Sequence, residues 1–203
     1  MTGSAEALER LREGNRRFAA GDWSGAAPAA EARRAELVDG QKPFAIVLGC
    51  SDSRVPPEIV LGQGLGDLFV IRVAGNVATP ALVGSVEFAV EAFGTRLVVV
   101  LGHSDCGAVA ATLESLERPG EARSPNLRSI VDRIRPSVEP LMLSDLRDDR
   151  RALLDAAGRA HIRASAEHLM RGSDTLARLI AEDGLAVVGA EYSLETGLVD
   201  FFG

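Results

Sequence analysis

The sequence predicts an α/β fold: a mainly parallel central sheet flanked by helices, with an extending N-terminal helical arm. Short apolar runs alternate with segments of helical periodicity along most of the chain, and such alternation implies right-handed crossovers onto a parallel sheet. Two of the runs, Phe44-Ala45-Ile46-Val47-Leu48-Gly49 and Leu97-Val98-Val99-Val100-Leu101-Gly102, are wholly apolar and end in glycine, as strands buried on both faces do. A chain of 203 residues suits one sizeable core better than two. Residues 1–203 are therefore read as one domain, with 1–40 as the arm and 41–203 as the core.

In chain order, Ala5 to Ala20 sets Leu8, Leu11 and Phe18 among charges, the stripe of an amphipathic helix. Glu31 to Val38 is a weaker helix. Strands are expected at Phe44 to Gly49, Leu68 to Val73, Leu97 to Gly102 and Leu185 to Ala190, with helices near Ala81 to Phe93, Cys106 to Leu116 and Leu127 to Val138. Pro119 to Pro125 reads as a loop. Arg147 to Ile180 is charged, periodic and helical, and Val199 to Phe202 adds a short edge strand.

Composition narrows the function. A formal net charge of -7, with no compensating basic stripe, argues against nucleic acid, whose phosphates demand clustered Lys and Arg. Met1 to Trp23 mixes acidic and basic residues without an apolar core of signal-peptide length, and no apolar run is long enough to span a bilayer. A cytoplasmic location is expected, with no disulfide between the two cysteines.

Those two cysteines and one of the three histidines fall in two short segments, Cys50-Ser51-Asp52-Ser53-Arg54 and His103-Ser104-Asp105-Cys106. Each segment follows directly on one of the two buried runs, so both hang off carboxyl ends of strands, where open α/β sheets place their ligands. Thiolate, imidazole and carboxylate suit a borderline-soft divalent ion, and a catalytic zinc takes three protein ligands and leaves one position open. Cys50, His103 and Cys106 supply the three, with Asp52 as a possible fourth. Taken alone, buried cysteines are more often small hydrophobes, and Asp52 with Arg54 would be a local ion pair worth little if exposed.

With Gly107 added after Cys106, the pattern C-x-D-x-R followed by H-x-x-C-G resembles the β-class carbonic anhydrases. The similarity also takes in Asp67 to Arg72 with Ala74-Gly75-Asn76, Gly84 to Ala89, Val188 to Tyr192 and Glu195-Thr196-Gly197. It runs from about Leu8 to the C-terminus and is weakest between Arg118 and Asp183. The resemblance implies a Zn2+ cofactor and a carboxylate-arginine dyad, Asp52 and Arg54, that either frees the zinc for water or lets the carboxylate coordinate it. It implies that the Gly107 amide helps hold substrate or bicarbonate, that Gln41 reaches into the active site of a neighbouring subunit, and that Phe69 forms an apolar wall. A homodimer or homotetramer follows from the same likeness. Val47 stands where family members with a regulatory bicarbonate site carry tryptophan, and the only tryptophan, Trp23, lies far upstream. That regulatory site is therefore expected to be absent.

The expected function is reversible hydration of carbon dioxide to bicarbonate and a proton by zinc-bound hydroxide. Two thiolates neutralise the ion, so its water should ionise less readily than on a three-histidine zinc. Two alternatives remain open at this stage: hydrolysis of a carbon dioxide isostere, carbonyl sulfide or carbon disulfide, and a non-catalytic zinc sensor closed by Asp52. As plain sequence, Gln41 is a polar loop residue, Phe69 a core strand residue and Gly107 a helix start capped by Ser104 or Asp105. His161 and His168 read as solvated helix residues.

Overall fold

The computed structural model describes residues 2–22, 31–118 and 124–202. Four parallel strands, β1 (Ala45–Cys50), β2 (Leu68–Val73), β3 (Leu97–His103) and β4 (Ala186–Tyr192), and one antiparallel edge strand, β5 (Val199–Phe202), form a single sheet in the order β2-β1-β3-β4-β5. The two apolar runs are its centre. Every residue of β1 and β3 is buried, which is why neither shows the alternation of a half-exposed strand.

Side chains that alternate across the pleat feed two cores. Ile46, Leu48, Val98 and Val100 pack with Val86 and Val90 of α4 (Pro80–Phe93), Ile162 and Leu169 of α7 (Arg150–Arg171) and Leu176 of α8 (Asp174–Glu182). Ala45, Val47, Val99 and Leu101 face the other way, onto Ala7 and Leu11 of α1 (Ser4–Ala19) and Val60 of α3 (Pro57–Val60). Val47 is completely enclosed there. A third cluster joins Cys50 and Cys106 to α5 (Gly107–Glu117), α6 (Pro125–Val138) and α7 through Val109, Ile134, Val138 and Leu153.

The expected N-terminal helix is present as α1, and its apolar face is seated on the body of its own chain. Asn15, buried, donates through Nδ2 to the carbonyls of Val60 and Gly197 and accepts at Oδ1 from the Val199 amide, all within 2.9 Å. One side chain thus ties α1 to α3 and to the hairpin between β4 and β5. The weaker helix, α2, spans Glu31–Glu36, while Trp23 lies outside the described residues.

Several boundaries differ from expectation for local reasons. Cys106, not Ser104 or Asp105, stands before α5, because Asp105 takes a left-handed turn (φ 53°) that Asp tolerates better than most residues. Of the expected loop Pro119 to Pro125, residues 119–123 lie outside the described residues. Pro125 itself opens α6, its fixed φ suiting a first helical position, and Ser124 caps the helix by accepting from the Leu127 amide. The helical stretch after Arg147 is two helices, divided where α7 ends at Arg171, Gly172 follows and Ser173 caps α8.

Replacing Asn15 with Ala leaves two carbonyls and one amide without their partner at a largely enclosed junction, at a cost of about 1–3 kcal/mol. Thermal unfolding of Asn15→Ala should fall by several degrees, about 2–4 °C per kcal/mol for a chain of this size. An unchanged melting temperature would mean that α1 is not tied down by this residue.

Candidate metal centre

In the strand order β2-β1-β3, the chain leaves β1 in one direction and returns on its other side as β3. The carboxyl ends of β1 and β3 therefore border the switch point, the place where open α/β sheets bind ligands. Cys50 is the last residue of β1 and His103 the last of β3. Ser104 and the left-handed Asp105 turn the chain so that Cys106 comes back beside them. The sulfurs of Cys50 and Cys106 and a ring nitrogen of His103 all lie within 4.8 Å of one another, and all three residues are buried.

The histidine is oriented for a cation. Its Nδ1 faces the Ser104 carbonyl at 2.8 Å, which fixes the proton on Nδ1 and leaves the Nε2 lone pair bare, the arrangement found at metal-ligating histidines. Nε2 is buried and has no hydrogen-bond partner among the described residues. An orphaned polar atom in the interior is costly, and a metal would satisfy it.

The two sulfurs share the site unequally. The hydrogen bond with Cys106 lowers Cys50 to about 4 against the opposing effect of burial, with His103 and the amides of Gly75 and Asp52 helping. Cys106 is driven upward by that same bond and by burial. The opposite directions have one cause, the hydrogen bond between the two sulfurs, which favours charge on the Cys50 side. Burial disfavours a proton on His103, but the adjacent Cys50 sulfur, the Ser104 carbonyl and the charge of Asp52 outweigh it, and its pKa is raised.

Asp52 and Arg54 lie at the rim. Arg54 donates from Nε to Oδ1 at 2.9 Å and from a terminal nitrogen to Oδ2 at 2.7 Å, and its backbone amide adds a third bond to Oδ1 at 2.9 Å. This fork holds the Asp52 carboxyl well below the usual carboxylate range. Oδ2 is nevertheless only 3.8 Å from His103 Nε2, so the carboxylate sits beside the cluster while being held by its arginine.

Arg72 of β2 has a part that sequence reasoning missed. It donates to the carbonyls of Cys50 (2.9 Å) and Asp52 (2.6 Å), fixing the turn that carries the first thiol. In the sequence it is one charge at the end of an apolar run, and nothing local points it at that turn. His161 is a correction: it is 2% exposed, because α7 is packed on several sides. His168, about two turns further along α7, is exposed as expected.

Gly107, the first residue of α5, is exposed, with open space where a side chain would project. Gln41 and Phe69 are not brought to the cluster within this chain. Gln41 lines a surface cavity with Thr2, Phe44 and Thr95 at the amino ends of the strands. Phe69 pairs in register with Ile46, some four positions or about 13 Å before Cys50, and its ring packs with those of Phe88 and Phe93.

A parallel sheet with two thiols and an imidazole at its switch point defines an α/β protein with a candidate metal centre. Residues 45–199 match the family model described as carbonic anhydrase. The chain is 40% identical over 196 residues to carbonic anhydrase 2 of Mycobacterium tuberculosis, covering 97% of this chain and 91% of that one. It is 41% identical over 194 residues to a carbonic anhydrase of Mycolicibacterium smegmatis, covering 96% and 91%. Among solved structures, a β-carbonic anhydrase of Aspergillus fumigatus superposes with a TM-score of 0.74 at 28% identity, over 83% of this chain and 79% of that one. A tetrameric β-carbonic anhydrase of Sordaria macrospora gives 0.74 and 28% over 84% and 85%. The chain belongs to the carbonic anhydrase family, in its β class.

Cysteine ligates as the thiolate, so loading a divalent metal expels whatever protons the two sulfurs hold. Calorimetric titration in buffers of different ionisation enthalpy should register release of at least one proton per metal at pH near 7, and affinity should weaken as pH falls and protons compete for the sulfurs. Buffer-independent heats would contradict ligation by the two thiols.

Proposed function

We propose that this protein, acting as one domain, reversibly hydrates carbon dioxide to bicarbonate and a proton at a zinc ion held by Cys50, His103 and Cys106. The observation that carries the reading is the convergence of these three buried donors, with His103 Nε2 left without a hydrogen-bond partner among the described residues. Two sulfurs and an imidazole suit zinc better than the hard cations, which prefer oxygen. Zinc, when bound, supplies a Lewis acid that lowers the pKa of water.

The chain's own groups do the rest. Asp52 keeps lone pairs free beyond those taken by Arg54, and accepts a hydrogen bond from the nucleophilic water, orienting it toward the substrate carbon. Because the arginine fork keeps Asp52 ionised through the working pH range, an activity limb near neutrality belongs to ionisation of that water. The Gly107 amide, at the positive end of α5, is suited to the bicarbonate product.

Assembly belongs to the same reading. A homodimer or homotetramer, with Gln41 and Phe69 serving a site in the neighbouring subunit, agrees with their distance from this chain's own cluster and with the half-exposed ring of Phe88 beside Phe69. A cytoplasmic setting fits two free, buried cysteines. No helix among the described residues is long and apolar enough to cross a membrane.

Stopped-flow carbon dioxide hydration on zinc-loaded protein, run beside a carbonyl sulfide assay, tests the activity; turnover of the sulfide alone would redirect the substrate. The rate should rise with pH above about 7, and a flat profile between roughly pH 6.5 and 9 would contradict rate-limiting water ionisation. Arg54→Ala should retain its zinc yet lose most of its turnover, as Asp52 is freed from the fork to turn toward the metal ligands. Near-normal turnover would remove the pair from the mechanism. Light scattering at micromolar concentration should give a dimer or larger, and a fully active monomer would defeat the shared-site reading.

A further inference from the structure

The turn Ala74–Asn76 after β2 lies against the first cysteine, and a buried histidine lies against that turn. Gly75 donates its amide to Cys50 Sγ at 3.4 Å. The carbonyl of the same residue is met by His161 Nε2 at 2.6 Å. Gly75 has φ 68°, in the left-handed region that glycine enters without penalty, and a Cβ there would sit 2.8 Å from that of Ala108 and 2.9 Å from Ile134 Cδ1. Glycine is obligatory at this point, and it is also the residue least able to hold its own conformation.

We propose that His161 is a positioning residue for the metal site, pinning the Gly75 carbonyl so that the Gly75 amide stays aimed at the Cys50 sulfur. The proposal rests on the reading of Cys50 as a zinc ligand. Burial lowers the His161 pKa, so the ring is neutral and its one proton belongs on Nε2, facing the carbonyl. Nδ1 meets Ser137 Oγ at 3.4 Å, and that hydroxyl donates to the Ile134 carbonyl. The strong bond is therefore the one to Gly75. An amide donating to a thiolate stabilises its charge, and partners one step removed from a metal set its affinity by about 10–100-fold. α7, which supplies no ligand, thereby acts on the first cysteine through a single peptide turn.

His161→Phe and His161→Met remove the donor while keeping an apolar side chain of similar bulk; His161→Gln keeps an N–H. His161 stands one step behind that amide, so by chelator competition the Phe and Met variants should bind zinc more weakly than the unaltered protein by up to about tenfold, the lower end of that range, with Gln close to it. In cobalt-substituted protein the thiolate-to-metal charge-transfer band should move to lower energy in Phe and Met and stay put in Gln. Unchanged affinity and band in Phe and Met, or a Gln variant displaced as far as they are, would overturn the proposal and leave His161 as packing. Whether or not those variants fold, the unaltered cadmium-substituted protein should show coupling from the metal to the Gly75 amide proton by nuclear magnetic resonance, and its absence would also overturn it. If the unaltered protein took up no metal, the zinc reading itself would fail, a result distinct from either of these.

Discussion

The side-by-side pairing of β1 and β3 is the constraint on which the rest depends. Their register runs Ile46 with Val98 through Gly49 with Leu101, so that two segments distant in sequence end at the same height. A shift of one residue would send every side chain to the opposite face and part Cys50 from His103. The register is held by burial on both sides, since the two cores draw on alternate residues of the same strands. Stability and site geometry thus have a common origin.

Burying two sulfurs and an imidazole has an electrostatic consequence. Charges removed from water need compensation, and the protein supplies it in graded fashion. The Gly75 amide serves Cys50, the amides of Val109 and Ala108 favour charge on Cys106, and the Ser104 carbonyl takes the proton side of His103. What remains uncompensated is Nε2 of that histidine, and a divalent cation relieves it. Asp52, by contrast, is at the rim, where Arg54 keeps it charged and engaged. Donors that bind inward and a carboxylate held outward leave the protein with both a metal position and a group able to work beside it.

The supports of the site come from elements that sequence order keeps apart. Arg72 reaches from β2 to the carbonyls at the end of β1, and His161 reaches from α7 to the turn after β2. Neither residue type is unusual in its own segment. Arg72 reads as a charge closing a strand and His161 as one polar residue in a long charged helix, because the faces they present depend on how α7 and β2 are packed, not on their local periodicity. Burial of His161 is decided by the helices and strands around α7, which the pattern of a single helix does not encode.

The sequence by itself determined the α/β class, the two fully buried strands, the edge strand at Val199 to Phe202 and the candidate ligands Cys50, His103 and Cys106 with Asp52 and Arg54. These are legible because hydrophobic period, chain length and ligand chemistry are local properties. Only the tertiary structure decided that the three donors meet, that Asp52 is turned to its arginine, that Arg72 and His161 stand behind the site, and that Gln41 and Phe69 lie away from this chain's own cluster. Those outcomes depend on strand order, register and helix docking, which arise from contacts between residues far apart in the chain and leave no periodic trace along it.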